Sequence, residues 1–318
     1  MNKLNAFKTT GARRKWSLLI VLFSILALAF ALLCNALFVS CAPRKVTQTS
    51  GGPYFTDTLG RRYAQDKNPG RIVSLVPAVT EILFAIGAGE KVVGVTQFCD
   101  YPAEAASRIS VGGFSGATMS LEQILALKPD LVFLSADMHA RIVPLLDELA
   151  IPCFAVEPEN FSEVYGTINR LGEICGCLDN AGRVVEEMRR KIAGARELIK
   201  GREKPWVFWL LNENPLMTAG PKTFVSEVIS LGGGRNIFED IQEKWPIVSQ
   251  EQILLRKPEW IFYGDDMEGE PLLDLASWRL IPAVSKGQVL PLNADILYRY
   301  GPRLADGVEL VARILHEK

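Results

Sequence analysis

The stretch SLEQILALKPDLVFL, residues 120–134, returns later in the chain as SQEQILLRKPEWIFY, residues 249–263. Aligned without a gap at an offset of 129, the two stretches are identical at eight of fifteen positions. Each opens with a serine and a glutamine at the spacing of a helix capping box. Each helix is expected to stop at a Lys-Pro pair, because proline disfavours the α conformation in the residue before it. An apolar strand follows in both copies, so the chain contains the same helix-strand unit twice.

Short apolar strands alternate with helices around both copies of this unit. A hairpin is expected over residues 54–66, before the alternation begins. The predicted strands of the first half are RIVSLVP, KVVGVT, PDLVFLS and PCFAVE, and those of the second half are WVFWLL, PEWIFYG and QVLPLN. Their nearly continuous apolar character indicates parallel sheets that are covered on both faces.

Residues 162–201 interrupt this alternation with two consecutive helical stretches. The second is some twenty residues long, which corresponds to about 30 Å of helix. The predicted fold class is therefore α/β, with two Rossmann-like lobes that contain parallel sheets and are joined by one long α-helix. We expect the N-terminal lobe over residues 54–160, the linking helices over 161–204 and the C-terminal lobe over 205–318.

The N-terminus has the pattern of an export signal. Five basic residues precede an uncharged run from Trp16 to Phe38, and no acidic residue occurs before Asp57. The residues LFVSCA, 37–42, resemble the lipoprotein signal of bacteria, which predicts a signal peptide over 1–40, lipidation of Cys41 and a tether over 41–53. An uncleaved membrane anchor over residues 16–38 is the alternative. Both interpretations place the body of the protein outside the cytoplasm, on the periplasmic or extracellular face of a membrane.

The composition excludes several classes of function. Without residues 1–40 the chain has 30 basic and 36 acidic residues, a net charge of −6 that argues against a nucleic-acid partner. With two histidines in the chain and no paired cysteine spacing, we expect no metal site and no cofactor of the protein's own. The sequence does not decide whether Cys99 and Cys153 form a disulfide. The glycine clusters end helices instead of starting them and no GxSxG motif occurs, so we expect no enzyme.

Glu122 and Glu251 occupy the same position in the two repeated stretches, and capping requires neither of them. One interpretation is a favourable interaction with the helix dipole, which is worth only ~0.3–1 kcal/mol. The other is geometric, because two related lobes would present one exposed carboxylate each to a partner with two basic pockets. The residues alone do not decide between these interpretations.

From about Tyr54 to the C-terminus, the sequence resembles the substrate-binding proteins of ABC importers for cobalamin and iron chelates, most closely the cobalamin-binding branch. The motifs that carry the resemblance are RIVSLVPAVTEILFAIGAGEKVVGV, FCDYP, LEQILALKPDLVF, GGGRNIF, KWPIVSQEQILLRKPEWIF and YGPR. The resemblance implies two lobes joined by one long helix, a ligand held in the cleft between them, and docking on a dimeric permease through one glutamate per lobe. In this sequence those glutamates are Glu122 and Glu251.

The cleft should be formed by the loops that follow the strands, because ligands of open α/β sheets bind beyond the carboxyl ends of the strands. The candidate ligand-binding residues are Phe98, Asp100, Phe114, Trp245, Asp265, Tyr298 and Arg299. Compared with the cobalamin branch, Ser135 stands where a tryptophan is expected, and Leu211 and Phe98 replace a phenylalanine and a tyrosine. The ligand is therefore left open between a corrinoid, haem and a ferric siderophore. Arg303 is either a ligand contact or an ion-pair partner, and His139 is either a haem ligand or a solvent-facing residue.

The predicted function is that of an extracytoplasmic substrate-binding lipoprotein of an ABC importer. It would act as a monomer, bind a corrinoid or an iron chelate, and deliver it to a permease dimer with separate ATPase subunits. The alternative is a membrane-tethered haem or corrinoid relay protein that does not dock on a transporter.

Overall fold

A computed structural model of the chain describes residues 53–115, 117–267 and 277–317. The predicted signal peptide, the lipidation site Cys41 and all but the last residue of the predicted tether lie outside the described residues. The described residues belong to one compact unit. Among the described helices, none combines the length and the hydropathy that a bilayer-spanning segment requires.

The first half of this unit is built on a five-stranded parallel sheet of order β5-β4-β3-β6-β7. An antiparallel hairpin of β1 and β2 precedes the sheet, as the sequence predicts. The strands are β1 (Tyr54–Thr56), β2 (Arg62–Ala64), β3 (Ile72–Ser74), β4 (Val92–Val95), β5 (Ile109–Ser110), β6 (Leu131–Leu134) and β7 (Cys153–Ala155). The helices are α1 (Pro77–Ala85), α2 (Ala103–Ala106), α3 (Leu121–Ala126) and α4 (Val143–Glu148).

The two consecutive helices predicted between the halves are present as α5 (Phe161–Cys175) and α6 (Leu178–Leu198). Asn160 caps α5 by accepting a hydrogen bond from the Glu163 amide, and Gly176 ends it in the left-handed conformation that glycine adopts without steric cost. Helix α6 has 21 residues and buries one stripe of side chains, including Val185, Met188 and Ile192. This stripe packs the connecting helix against its neighbours instead of leaving it between two separate bodies.

The second half contains a four-stranded parallel sheet of order β11-β8-β12-β13. A short antiparallel pair, β9 and β10, follows β8 at its carboxyl end. The strands are β8 (Trp206–Leu210), β9 (Asn212–Glu213), β10 (Leu216–Met217), β11 (Arg235–Asn236), β12 (Trp260–Gly264) and β13 (Val289–Leu292). The helices are α7 (Phe224–Leu231), α8 (Gln250–Arg256), α9 (Pro282–Ser285), α10 (Ala294–Tyr298) and α11 (Leu304–His316).

The hydrophobic core is continuous through both halves. One cluster of buried side chains extends from Ile72 in the first sheet, through Val185 of α6, to Leu315 at the end of α11. Two smaller clusters cover the other faces of the two sheets, around Val132 in the first half and around Phe208 in the second. The α/β fold with two parallel sheets and a long connecting helix is thus confirmed, whereas the limits 54–160, 161–204 and 205–318 stay a prediction.

Candidate functional site

The carboxyl edges of the two sheets face each other, as an ion-pair cluster between them shows. Glu81 of α1 is almost fully buried, and its carboxylate is held from the other half of the chain by Arg299 and Arg303. The Arg303 Nε atom lies 2.8 Å from Glu81 Oε2, and the Arg299 Nη1 atom lies 3.2 Å from Glu81 Oε1. The same Nη1 atom lies 2.7 Å from Oδ1 of Asp100, in the loop after β4. The loops after the strands therefore enclose one cleft.

Arg299 takes part in three ion pairs, so it is a structural residue as much as a candidate ligand contact. Its third partner is Asp295 on α10, whose Oδ1 atom lies 2.7 Å from Arg299 Nη2. Burial alone would raise the pKa of Asp100, but the hydrogen bond and the charge of Arg299, together with a backbone hydrogen bond and the charge of Arg303, outweigh it and the pKa is lowered. Burial raises the pKa of Asp295, and the Arg299 charge offsets only part of this effect. The cluster contains two guanidinium groups and three carboxylates.

Arg303 is an ion-pair partner. Both its Nε and Nη2 atoms bind the Glu81 carboxylate, and its guanidinium group lies 3.9 Å from the centre of the Tyr101 ring. This arrangement holds the aromatic ring of the FCDYP loop against the second half of the molecule. Of the two roles that the sequence allowed for Arg303, a ligand contact or an ion-pair partner, the structure shows the ion pair.

The candidate aromatic residues form one pair on each side of the cleft. The rings of Phe98 and Phe114 meet edge to face, with centroids 5.5 Å apart, and both side chains are partly exposed. On the opposite side Tyr298 lies edge to face between Trp209 and Trp245, at 5.8 and 6.1 Å. A small apolar cavity of about 240 Å³ opens beside Trp245 and is lined by Leu211, Phe224, Val225, Trp245, Leu297 and Tyr298. Flat, stiff side chains on two sides of a cleft suit a large planar ligand.

Asp265 has a structural partner on each of its oxygens. Its Oδ1 atom accepts a hydrogen bond from the Ala294 amide at 3.0 Å, and its Oδ2 atom accepts one from the Asn293 side chain at 3.1 Å. The carboxylate therefore fixes the start of α10, the helix that ends at Tyr298 and places Arg299 in the cleft. Sequence reasoning treated Asp265 as a ligand contact and did not identify this positioning role.

His139 is buried, and both of its ring nitrogens are engaged. The Nδ1 atom accepts a hydrogen bond from the Ser135 amide at 2.9 Å, and the Nε2 atom donates to the Phe114 carbonyl at 3.1 Å. Of the two alternatives offered by the sequence, the solvent-facing residue is therefore wrong, and in this arrangement neither ring nitrogen is free to ligate haem iron. Burial lowers the pKa of His139, partly offset by the Phe114 carbonyl, so the neutral ring links the loop after β6 to the Phe114 loop.

Ser135 stands where the resemblance expects a cleft tryptophan, and it too is buried. Its hydroxyl donates to Glu157 at 2.5 Å. The four described cysteines are free thiols. Cys99 and Cys153 pack in two different hydrophobic clusters, so the disulfide left open by the sequence is absent between them. Within residues 53–115, 117–267 and 277–317, no group of three His, Cys, Asp or Glu side chains is arranged to hold a metal ion.

Glu122 and Glu251 are both exposed in the first turn of their helices, α3 and α8. Each helix follows a strand of its parallel sheet, so each starts at the carboxyl edge that borders the cleft. No hydrogen bond or ion pair to either carboxylate is formed by another described residue. Both glutamates therefore remain available to a partner that approaches the cleft side of the molecule.

The repeat is also visible in the backbone around these glutamates. Ser249 forms a complete capping box with Gln252, whereas at Ser120 only the hydrogen bond from the Gln123 amide is formed. Lys128 and Lys257, the residues before the two prolines, have φ angles of 47° and 50°. This left-handed conformation is unfavourable for residues other than glycine, yet it recurs at equivalent positions of the two halves. The two turns are thus built alike, and they set the two helices at equivalent places in the two halves.

Two parallel sheets on either side of a cleft, joined by a long helix, define a two-lobed ligand-binding protein. The chain belongs to the periplasmic binding protein family, whose model matches residues 72–296. Proteins of this family bind ligands and do not catalyse reactions, so the chain is a substrate-binding protein and not an enzyme. The family also implies an extracytoplasmic location.

Three known proteins illustrate the similarity. The crystal structure of the periplasmic vitamin B12 binding protein BtuF of Vibrio cholerae superposes with a TM-score of 0.68 at 32% identity, covering 78% of this chain and 96% of that one. The periplasmic heme-binding protein RhuT from Roseiflexus sp. RS-1 gives a TM-score of 0.70 at 25% identity, with 78% and 98% coverage. An uncharacterized ABC transporter substrate-binding lipoprotein of Bacillus subtilis, YvrC, is 32% identical over 258 residues, 79% of this chain and 81% of that one.

Proposed function

We propose that this protein captures a corrinoid outside the cytoplasm and delivers it to the permease of an ABC importer. The observation that carries the proposal is the pair of aromatic contacts at the facing sheet edges, Phe98 with Phe114 and Trp245 with Tyr298. A corrin ring is large and close to planar, and we expect its faces and edge to contact both pairs. The similarity to the vitamin B12 binding protein of Vibrio cholerae supports the same ligand class.

The charges in the cleft favour a corrinoid over haem or a ferric siderophore. Haem carries two carboxylates, and ferric siderophores are often anionic, so both require unpaired cations for recognition. Arg299 and Arg303 are already bound by Glu81, Asp100 and Asp295, which leaves the cluster with one negative charge in excess. The amide side chains of a corrinoid need hydrogen-bond partners instead of counter-ions. His139, moreover, has no free nitrogen with which to ligate iron.

Docking on the permease is assigned to Glu122 and Glu251. They are exposed, carry no partner among the described residues, and lie at equivalent helix starts on the cleft side. A permease with two-fold character and an arginine pocket on each subunit would bind both carboxylates at once. Cys41 is proposed as the lipidated residue that keeps the protein at the membrane, and the protein is proposed to act as a monomer.

The ligand class is tested with a purified fragment of residues 42–318. An absorption spectrum after purification reports any bound chromophore, and quenching of tryptophan fluorescence reports titrations with cobalamin, haem and a ferric hydroxamate. We expect cobalamin to bind with a Kd below ~10 µM, which corresponds to roughly −7 kcal/mol. Tighter binding of haem or the hydroxamate would contradict the corrinoid assignment, and the absence of binding by all three would contradict the chelate function itself.

A further inference from the structure

The three most exposed large apolar side chains in the described part of the chain lie in the C-terminal lobe, next to the helix that carries Glu251. They are Ile247, Leu255 and Leu280, which are 68%, 81% and 76% exposed. Each is left in water, although the removal of an aliphatic side chain from water is favourable. Exposed apolar side chains near one helix indicate a surface that a binding partner covers.

Each of the three is connected with α8, by its position in the sequence or through a contact of a neighbouring residue. Leu255 follows Glu251 by four residues, so the two side chains lie on the same exposed face, while Ile253 points into the core. Ile247 precedes the N-cap Ser249 by two residues. Leu280 lies in the short 3₁₀ turn Trp278–Leu280, next to Ser277, whose hydroxyl is bound at 2.8 Å by the Gln250 side chain at the start of α8. We call Ile247, Leu255 and Leu280 the apolar rim of Glu251.

The equivalent surface of the N-terminal lobe lacks such a rim. At the offset of 129 that relates the two repeated stretches, Thr118 stands in the place of Ile247 and Ala126 in the place of Leu255. Both are exposed, and neither offers a large apolar side chain. Leu125, three residues after Glu122, is exposed on α3, but at 38% it is less than half as exposed as Leu255 at 81%. The repeat therefore preserves the glutamate in both lobes but places highly exposed aliphatic side chains near it in only one.

We propose that the apolar rim binds the extracytoplasmic surface of the permease and makes the C-terminal lobe the anchoring lobe of the docked protein. This inference rests on the proposed function. It assigns unequal contributions to binding to the two contact areas, one around Glu251 and one around Glu122. In the C-terminal lobe the contact combines Glu251 with the apolar rim, which would be buried on docking. The contribution of the rim is not screened by salt. In the N-terminal lobe the contact depends mainly on Glu122, with the smaller exposed area of Leu125 beside it, and the contribution of Glu122 is screened by salt.

The position of Glu251 within the rim argues for this occupant. A bilayer would have to bury an unpaired carboxylate together with the rim, which is strongly unfavourable, and anionic lipids would repel it. In a symmetric dimer of this chain, the two copies of Glu251 would face and repel each other. The chain outside residues 1–40 also carries a net charge of −6, which opposes such a dimer. A basic residue surrounded by apolar side chains on a second protein satisfies both parts of the surface.

The inference is tested with the full-length chain and the permease and ATPase subunits of its own importer, reconstituted in lipid nanodiscs. Binding of fluorescently labelled protein is measured between 50 and 500 mM salt for the wild type, Leu255→Ser, Glu122→Gln and Leu145→Ser. Leu145 is a partly exposed leucine on α4 and serves as the matched control. We expect Leu255→Ser to weaken binding about tenfold, or ~1.4 kcal/mol, without a change in salt dependence. We expect Glu122→Gln to reduce the salt dependence, and Leu145→Ser to bind as the wild type.

Several results would overturn the inference. Leu255→Ser could bind within twofold of the wild type, or could weaken binding no more than Leu145→Ser. The rim could instead mediate self-association, seen by light scattering as a dimer that Leu255→Ser abolishes, or binding to phosphatidylcholine vesicles that the same variant abolishes. If the wild type itself fails to bind the importer, the proposed function fails and not only the role of the rim. Unchanged ligand affinity of Leu255→Ser establishes that the variant is folded.

Discussion

Glu81 and Arg303 are separated by 222 residues in sequence, yet two guanidinium nitrogens of Arg303 bind the two oxygens of the Glu81 carboxylate at 2.8 and 2.5 Å. With Arg299 on the same carboxylate, this pair ties α1 of the first lobe to the chain before α11 of the second. Gly301, between the two arginines, leaves room for the Glu81 side chain, since a Cβ atom there would lie 3.0 Å from Glu81 Oε2. One buried acid thus links the two cleft walls directly, in addition to the continuous hydrophobic core.

Replacing Glu81 by glutamine should destabilise the protein strongly. The substitution leaves the partly buried Arg303 without the carboxylate that binds it and Arg299 without one of its three partners, and breaking an ion pair to a buried acid in this way costs about 3–5 kcal/mol. Urea unfolding followed by circular dichroism measures the loss. Glu197→Gln, which removes an exposed pair with Lys200, is the control and should leave the midpoint unchanged. A midpoint for Glu81→Gln equal to that of the control would show that the cluster does not hold the lobes together.

Stability should fall with acid because of His139. Its pKa is lowered in the folded protein, so below the ordinary value of 6.5 the unfolded chain binds the proton more readily than the native one. The native state is therefore favoured fully above pH 6.5 and progressively less as the pH falls below it. Measured as urea midpoints between pH 8 and 5, this loss should be smaller in His139→Asn, whose side-chain oxygen can still accept the Ser135 amide. The same slope in both proteins would refute the assignment.

Anion binding should improve when the acidic partners of Arg299 are neutralised. In the double variant Asp100→Asn and Asp295→Asn, Arg299 loses two of its three counter-ions and becomes available to a ligand carboxylate. We expect the affinity for haem to rise about tenfold, equivalent to ~1.4 kcal/mol, with the affinity for cobalamin changed far less. Asp179→Asn, on the exposed side of α6, serves as the control. Equal changes for both ligands would show that charge in the cleft does not select between them.

Charge reversal at the two docking glutamates should separate transport from capture. Glu122→Lys and Glu251→Lys place a cation where a basic pocket is expected, so cobalamin uptake by cells should fall by more than tenfold for the double variant. Binding of cobalamin by the purified variant should stay as in the wild type, since neither carboxylate contacts the cleft residues. Unchanged uptake with intact binding would favour the alternative, a tethered relay protein that works without a transporter.

The fold follows from the sequence because its signals are local. Apolar strands such as LVFL at residues 131–134, the Lys-Pro stops and the glycine at Gly176 each determine a few residues of structure, and their order determines the topology. The two-residue edge strands β5 and β11 and the β9–β10 pair are too short to leave a periodic pattern. These elements are defined only by the strands beside them.

The site was predicted less completely, because its decisive contacts join residues that are far apart in sequence. Phe98, Phe114, Trp245 and Tyr298 could be proposed from the sequence because strand ends can be located locally, and the structure pairs Phe98 with Phe114 and Trp245 with Tyr298. Their contact with a ligand stays a prediction. The role of Glu81 depends on partners more than 200 residues away. One signal was present: a lone acid in the apolar helix PAVTEILFA needs a cation when buried. No comparable signal distinguishes His139 from an exposed loop residue.

The central claim is that the ligand is held between the two aromatic pairs. Calorimetric titration of cobalamin into residues 42–318 tests this claim most directly. The titration is carried out with the wild type, Phe98→Ala and Trp245→Ala. We predict one cobalamin per protein, with an affinity that each substitution weakens by at least tenfold, or ~1.4 kcal/mol, because each removes a contact from a different lobe. Wild-type affinity in either variant would contradict the claim, since the ligand would then contact one wall alone or lie outside the cleft.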